Sequence, residues 1–299
     1  GNLKADGRPI LGLQAKELLK IVLDISSEAF LVPAHAWTPW FSLFGSKSGF
    51  DSIEECFEEL SGEIFSLETG LSSDPPMNWR LSALDRIALI SNSDSHSLFK
   101  IGREANVFDL PKIDFFGLKE AIKKKDEKKF LFTIEFFPEE GKYHFDGHRF
   151  CNLRFSPSET KREKGICPVC KKPLTIGVLH RVELLADRAE GFVPSKAIPF
   201  RSLLPLSEII AQAVGLLENS KKVKEEYERL IKIFGNEMNI LLFLPLEDLE
   251  EKMDFRIFQG IKKVREGKVD KEPGYDGVYG KIKINFNEEK RLGGQKSLF

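Results

Sequence analysis

Two apolar runs that stop at metal-type side chains constrain this chain more than any other feature of it. Ile87-Ala88-Leu89-Ile90 passes into Ser91-Asn92-Ser93-Asp94-Ser95-His96, and Ala29-Phe30-Leu31-Val32-Pro33 passes into Ala34-His35-Ala36-Trp37. In a strand, residues i and i+2 point to the same side. Asp94 and His96 are therefore expected to leave one strand end together, a carboxylate and an imidazole aimed at a divalent ion. His35 is expected to join them from the end of a second strand. For Asp94 alone the plainer reading is a helix N-cap beside an unrelated histidine.

The surrounding pattern is α/β. Residues 14–26 carry apolar side chains at helical spacing (Leu18, Leu19, Val22, Ile25), and Asp51 stands where it can cap a second helix with Ile53, Cys56, Phe57 and Leu60 on one face. Ile64 to Leu67 read as a strand ending at Glu68-Thr69-Gly70, Asp74-Pro75-Pro76 opens a short helix, and Phe115 to Lys124 form another. Strands alternating with helices argue for parallel βα units. About three strands fall before residue 97, too few to close a barrel. Gly1-Asn2-Leu3 reads as the middle of a domain, so further units are expected before it. Residues 130–136 are a further strand. From Leu203 the pattern turns helical (206–217, 221–234, 255–264), with an apolar segment at 240–244 and a hairpin strand at 281–284. The expected division is 1–129, 130–190 and 191–299.

The chain has four cysteines, too few to read as a disulfide framework. His148-Arg149-Phe150-Cys151 and Cys167-Pro168-Val169-Cys170 form an HxxC…CxxC pair, with residues 152–166 between the knuckles. Two residues between ligands let a tight turn present both to one ion, and a closed four-ligand set implies structural Zn²⁺ in a zinc ribbon. His148, Cys151, Cys167 and Cys170 are the expected ligands, with His144 and His180 as rivals for the fourth place. Cys56 reads as a core residue. Arg149, Arg154, Lys161, Arg162, Lys164, Lys171, Lys172 and Arg181 cluster around the ribbon with Phe150 and Phe155 among them. Such a mixture suits a nucleic-acid backbone and unstacked bases, and equally a solvated face over core phenylalanines. Lys262-Lys263-Val264-Arg265, with Tyr275 and Tyr279, carries the same two readings.

Formal net charge is -1, so nucleic-acid binding rests on local patches and not on the overall balance. No apolar stretch reaches the roughly 18 residues needed to span a bilayer, and no signal peptide is expected. A reducing cytoplasmic setting is expected. Abundant Lys and Glu with little Gln point to a thermophilic source.

Four stretches taken together resemble endonuclease Q, an archaeal and bacterial DNA repair nuclease family: Pro33 to Trp40, Ser91 to Ser97, Gly102-Arg103-Glu104-Ala105-Asn106, and Cys167-Pro168-Val169-Cys170. The likeness continues through Gly177 to Val182 and Pro273 to Gly280. The resemblance implies an incomplete PHP-type (polymerase and histidinol phosphatase) βα barrel-like domain, a zinc ribbon and a helical C-terminal region that grips DNA. It implies incision on the 5′ side of hypoxanthine, uracil, xanthine or an abasic site. It also implies that His35, Asp94 and His96 match late metal ligands, holding Zn²⁺, Mg²⁺ or Mn²⁺; Glu68 falls on a family strand end without being expected as a ligand. Arg103 is a candidate to neutralise phosphate charge. The family pattern opens with a His-x-His that this chain lacks. Gln295-Lys296-Ser297-Leu298-Phe299 resembles the start of a sliding-clamp-binding peptide. The alternatives are a small-molecule phosphoesterase of the same superfamily and a zinc-containing DNA-binding module without chemistry.

Overall fold

Helices in this chain start by one recurring device. The side-chain oxygens of Ser52, Asp74, Asp114 and Ser220 each accept the backbone N–H three residues on, at 2.8 to 3.4 Å, which satisfies a donor that the first turn leaves unpaired. The structure, a computed structural model, describes residues 12–286. Helix α1 (Ala15–Ile25) matches the helical spacing expected there, but Leu19 alone of its apolar set is fully buried, while Leu18, Ile21 and Ile25 face solvent. Helix α2 (Ile53–Phe57) is capped by Ser52 and not by Asp51, whose own N–H is taken by the Glu55 carboxylate at 2.7 Å. Strand β1 (Ser66–Glu68), helix α3 (Pro75–Asn78) and strand β2 (Ala88–Ile90) follow. The two strands pair in parallel, Ser66 opposite Ala88 and Glu68 opposite Ile90.

Residues 29–33, expected as a strand, are not a laddered strand. They touch β1 only at their end, where Pro33 accepts the Glu68 N–H and Glu68 accepts the Ala36 N–H, both at 3.1 Å. Pro33 has no N–H to extend a ladder, and the chain turns at His35 with φ 33°.

A second sheet has three strands. Strand β3 (Ala105–Phe108) was not legible in sequence. It lies antiparallel to β4 (Phe130–Glu135), with helix α4 (Phe115–Lys124) between them in sequence. Strands β5 (Asp146–His148) and β6 (Leu153–Phe155) make a hairpin, helices α5 (Pro157–Arg162) and α6 (Val178–Leu185) follow, and β7 (Phe200–Ser202) joins β4 in parallel. Arg181 on α6 donates to the carbonyls of Phe44 and Phe50 and to the Asp51 carboxylate at 2.6 to 3.0 Å. Val178 and Val182 then join the core of Leu19, Trp37, Phe57, Ile64 and Leu67.

The remaining elements are α7 (Leu206–Val214), α8 (Lys221–Phe234), a π turn (Asn239–Phe243), α9 (Leu246–Glu250), α10 (Phe255–Arg265) and the hairpin β8 (Asp270–Glu272) with β9 (Lys281–Lys283). Leu206, Ile209, Ile210, Leu230, Ile240, Ile257 and Ile261 are completely buried there, each contributing roughly 1.5–3 kcal/mol. Arg265 donates to the carbonyls of Ile240, Leu241 and Leu244 at 2.7 to 3.0 Å, tying the π turn to α10. Among the described residues no helix is long and apolar enough to cross a membrane.

Candidate metal centres and active-site rim

The knuckle residues converge. One donor atom from each of His148, Cys151, Cys167 and Cys170 lies within 4.8 Å of the others, with His148 Nδ1 at 3.6 Å from Cys170 Sγ. The local backbone explains how. Cys151 ends a short turn after β5, and Asn152 (φ 52°) reverses the chain into β6. Across the ribbon, Cys167 gives its N–H to Lys172 and accepts that of Lys171 (φ 62°) at 2.8 and 2.9 Å. Three thiols and one imidazole fit a tetrahedral soft-metal site, so this cluster can hold a metal ion such as zinc. Both rival histidines lie elsewhere. His180 Nδ1 is bound to buried Asp146 at 2.5 Å. His144 stacks on Phe145, and burial pushes it down to about 4.

The second set is arranged differently. Among the described residues His35, Asp94 and His96 do not form a group within that metal-binding distance. Strand β2 ends at Ile90, and Asp94 and His96 lie beyond it in an exposed loop, so strand periodicity does not aim them together. His96 Nδ1 contacts the Asp94 carbonyl at 2.9 Å. Both His35 (φ 33°) and Asp94 (φ 43°) adopt left-handed backbone, a conformation costing about 1–3 kcal/mol that collects at functional sites. Their donor types suit a divalent ion, although the three are not gathered within that distance.

What does converge on this rim is Glu68, at the end of β1. Its carboxylate accepts the His35 backbone N–H at 2.7 Å, lies 3.7 Å from His35 Nδ1, and accepts the Asn92 amide at 2.9 Å. Burial alone would raise this carboxyl. The hydrogen bonds from His35 and Asn92 outweigh that and hold it below the ordinary range. Arg103 donates to the Ser93 carbonyl through Nε and Nη2 at 3.0 and 2.9 Å, and Asn106 pairs with both backbone groups of Ser91. Arg103 therefore shapes the 91–97 loop.

Sequence reasoning missed a set of buried acids beneath the rim. Glu135 is fully buried and accepts the hydroxyls of Thr69 and Thr133 at 2.9 and 2.5 Å; burial pushes it up to about 8. Glu104 accepts the Phe136 N–H at 3.3 Å, and burial, with Glu135 nearby, raises it well above the usual value. The available signal was an acidic residue inside the apolar run Phe130 to Phe136. A cavity of about 770 Å³ lies beside these elements, lined by Asp74, Arg80, Glu139, His144, Phe200 and Arg265 among others. Arg80 Nε, Glu139 Oε2 and His144 Nδ1 are buried there without a hydrogen-bond partner. Several basic residues of the ribbon are internal ties: Lys161 pairs with Glu183, and Arg154 donates to Pro273. Residues 295–299 lie outside the described residues.

A family model described as the MJ0043 C-terminal domain matches residues 205–268. The uncharacterized protein MJ0043 of Methanocaldococcus jannaschii is 33% identical over 255 residues, covering 83% of this chain and 31% of its own length. The uncharacterized protein YqxK of Bacillus subtilis is 33% identical over 267 residues, covering 89% of this chain and 63% of its own length. The chain thus spans less than two thirds of either relative. Among solved structures, the lesion-specific endonuclease PfuEndoQ from Pyrococcus furiosus matches with a TM-score of 0.85 and 31% identity, over 97% of this chain and 71% of that one. Endonuclease Q in complex with a 27-mer duplex carrying an abasic lesion at the active site matches with a TM-score of 0.83 and 31% identity, over 96% of this chain and 70% of that one. A mixed α/β fold shared over nearly all of this chain, at that identity, shows that the chain belongs to the endonuclease Q family.

Proposed function

We propose that this chain is part of a metal-dependent DNA endonuclease that hydrolyses the phosphodiester 5′ of a deaminated base (hypoxanthine, uracil or xanthine) or of an abasic site. The observation that carries the reading is the match of 97% of the chain to a lesion-specific endonuclease. The rim supports it: His35, Glu68 and Asn92 meet where β1 and β2 end in parallel, and the Asp94–His96 loop leaves from the same edge. In this reading residues 1–129 are the later part of a PHP metal domain, 130–190 the zinc-ribbon region and 191–299 the helical DNA-binding region. On this reading His35, Asp94 and His96, which are not gathered within metal-binding distance of one another here, would contribute donors to a hydrolytic metal. When bound, such an ion polarises the phosphate and brings water to a reactive pKa. Glu68 holds the His35 backbone, and Arg103 holds the loop. The knuckle ion is structural zinc. The cavity beside Asp74 and His144 is a candidate receptacle for an extruded nucleotide, since a lesion base must leave the stack to be read.

Incision of duplexes containing one uracil, one hypoxanthine or one abasic site, by wild type and Asp94→Ala, tests the reading. Cutting at the lesion by wild type and its loss in the variant are expected. Equal cutting by both, or equal cutting of undamaged duplex, refutes the assigned role. A second reading, a zinc-stapled DNA-binding module without hydrolysis, is favoured by the fact that only the His/Cys cluster is metal-competent among the described residues. Metal analysis separates them: about one zinc and no other ion supports the module, and additional ions support the enzyme.

A further inference from the structure

The loop that carries His35 runs on into Trp40 and Phe41, whose side chains are 42% and 77% exposed. The Trp40 ring meets Tyr143 edge-on, with centroids 5.5 Å apart. Lys142, beside it, lays its ammonium 4.5 Å over the ring of Tyr279, which is 68% exposed. Gly277 gives its N–H to the Lys142 carbonyl at 3.0 Å. A Cβ at Gly277 would stand 3.7 Å from the Tyr143 hydroxyl oxygen and 3.3 Å from Arg149 Nη1. Arg149 in turn lies 4.9 Å over the ring of Phe150, which is 81% exposed and adjoins the ligand Cys151. Segments around residues 40, 142–150 and 278 therefore bring rings and cations together between the metal-candidate loop and the knuckle.

Single exposed apolar residues are ordinary. A continuous set of rings alternating with cations is not, and it differs from a protein-binding patch, whose core is depleted in lysine. Rings offer π-faces to bases and the cations between them meet phosphates, the combination that suits an unstacked strand. The strip is also held in place. The Arg149 N–H is bound by Asp276 at 2.7 Å, and the other oxygen of that carboxylate accepts the Thr175 hydroxyl at 2.7 Å, so Asp276 is already engaged.

We propose that this strip is a stacking track for the unpaired strand of DNA beside a lesion, entered at the His35 loop and ending at the metal knuckle. The proposal rests on the DNA-acting reading above, and its test measures binding, not cutting. The zinc-loaded 299-residue chain is titrated into a fluorescein-labelled oligothymidylate of roughly 15 nucleotides, read by anisotropy. Tyr279→Ala, Phe150→Ala and Trp40→Ala are each expected to weaken binding about 5- to 150-fold, the worth of one base–ring stack, while Tyr279→Phe and Trp40→Phe stay close to wild type. The ring variants should leave the slope of log affinity against log salt unchanged, and Lys142→Gln should reduce it by about 0.7. Zinc content and melting curves confirm that each variant is folded. Wild-type affinity in all three alanine variants overturns the track, as does a change in oligomeric state on Tyr279→Ala with DNA affinity unmoved, which makes the strip a protein interface. Ring-dependent binding by a chain that cuts no lesion supports the track and sinks the nuclease reading alone.

Discussion

The carboxylate of Glu68 accepts the backbone amide of His35 at 2.7 Å, although the two residues stand 33 positions apart. This bond fixes the left-handed turn that delivers His35 to the rim, because the turn's N–H has a partner only while β1 ends at Glu68. Removing a buried acceptor costs about 1–3 kcal/mol. Glu68→Ala is therefore expected to lower Tm by several degrees and lesion incision by at least about tenfold. Glu68→Gln keeps an acceptor for the amide and should fall between. Full incision by the alanine variant would show that the His35 loop needs no such tie.

Gly70 completes the same seat. It has φ +67°, and a Cβ on it would stand 2.8 Å from His35 Cβ. Gly70→Ala is expected to destabilise the fold by more than about 1 kcal/mol, since both backbone and packing oppose it. Gly62, with open space around it and no positive φ, supplies the control. Comparable melting curves for Gly70→Ala and Gly62→Ala would contradict the packing described.

The ribbon hairpin β5–β6 has three residues per strand, and a two-stranded hairpin of that size is marginal alone in water. Cys167→Ser should abolish zinc binding at the knuckles, lower Tm and open residues 142–176 to protease before the rest of the chain. Retention of about one equivalent of zinc by this variant would remove Cys167 from the ligand set.

Glu135 links stability to pH. Burial holds its proton in the folded protein up to about 8, while the unfolded chain releases it near 4.5. Between those values the folded state binds more protons, so stability falls as pH rises through that window and levels off above it. Glu135→Gln, whose amide oxygen can accept one of the two threonine hydroxyls and whose NH2 can donate to the other, without a titrating proton, is expected to flatten this slope and to melt higher than wild type at pH 8. Parallel melting-versus-pH curves for the two proteins would show that Glu135 is not the group responsible.

Where a feature depends on near neighbours, the residue pattern carried it. The helix at 221–234 and the helix at 115–124 appear at their expected bounds, because a capping oxygen and a 3.6-residue apolar spacing are local facts. The two-residue spacing of the knuckles is likewise local, and their four donors meet. The strand alternation expected to align Asp94 and His96 does not reach them, because β2 ends at Ile90. Strand β3 went unread because its four residues are half-buried and carry a bulge, which leaves no clean period of two.

From the residues alone came the α/β class, the His/Cys knuckles and the family resemblance, all of them matters of spacing along the chain. Only the tertiary structure decided that His148 and neither His144 nor His180 stands with the cysteines, and that Arg181 and Arg265 hold elements together. It also decided that Glu135 lies buried in the core, that Trp40 meets Tyr143 and that Lys142 lies over Tyr279. The reason is that burial and partnership are set by which distant segments pack together, and a side chain's neighbours along the chain do not specify its neighbours in space.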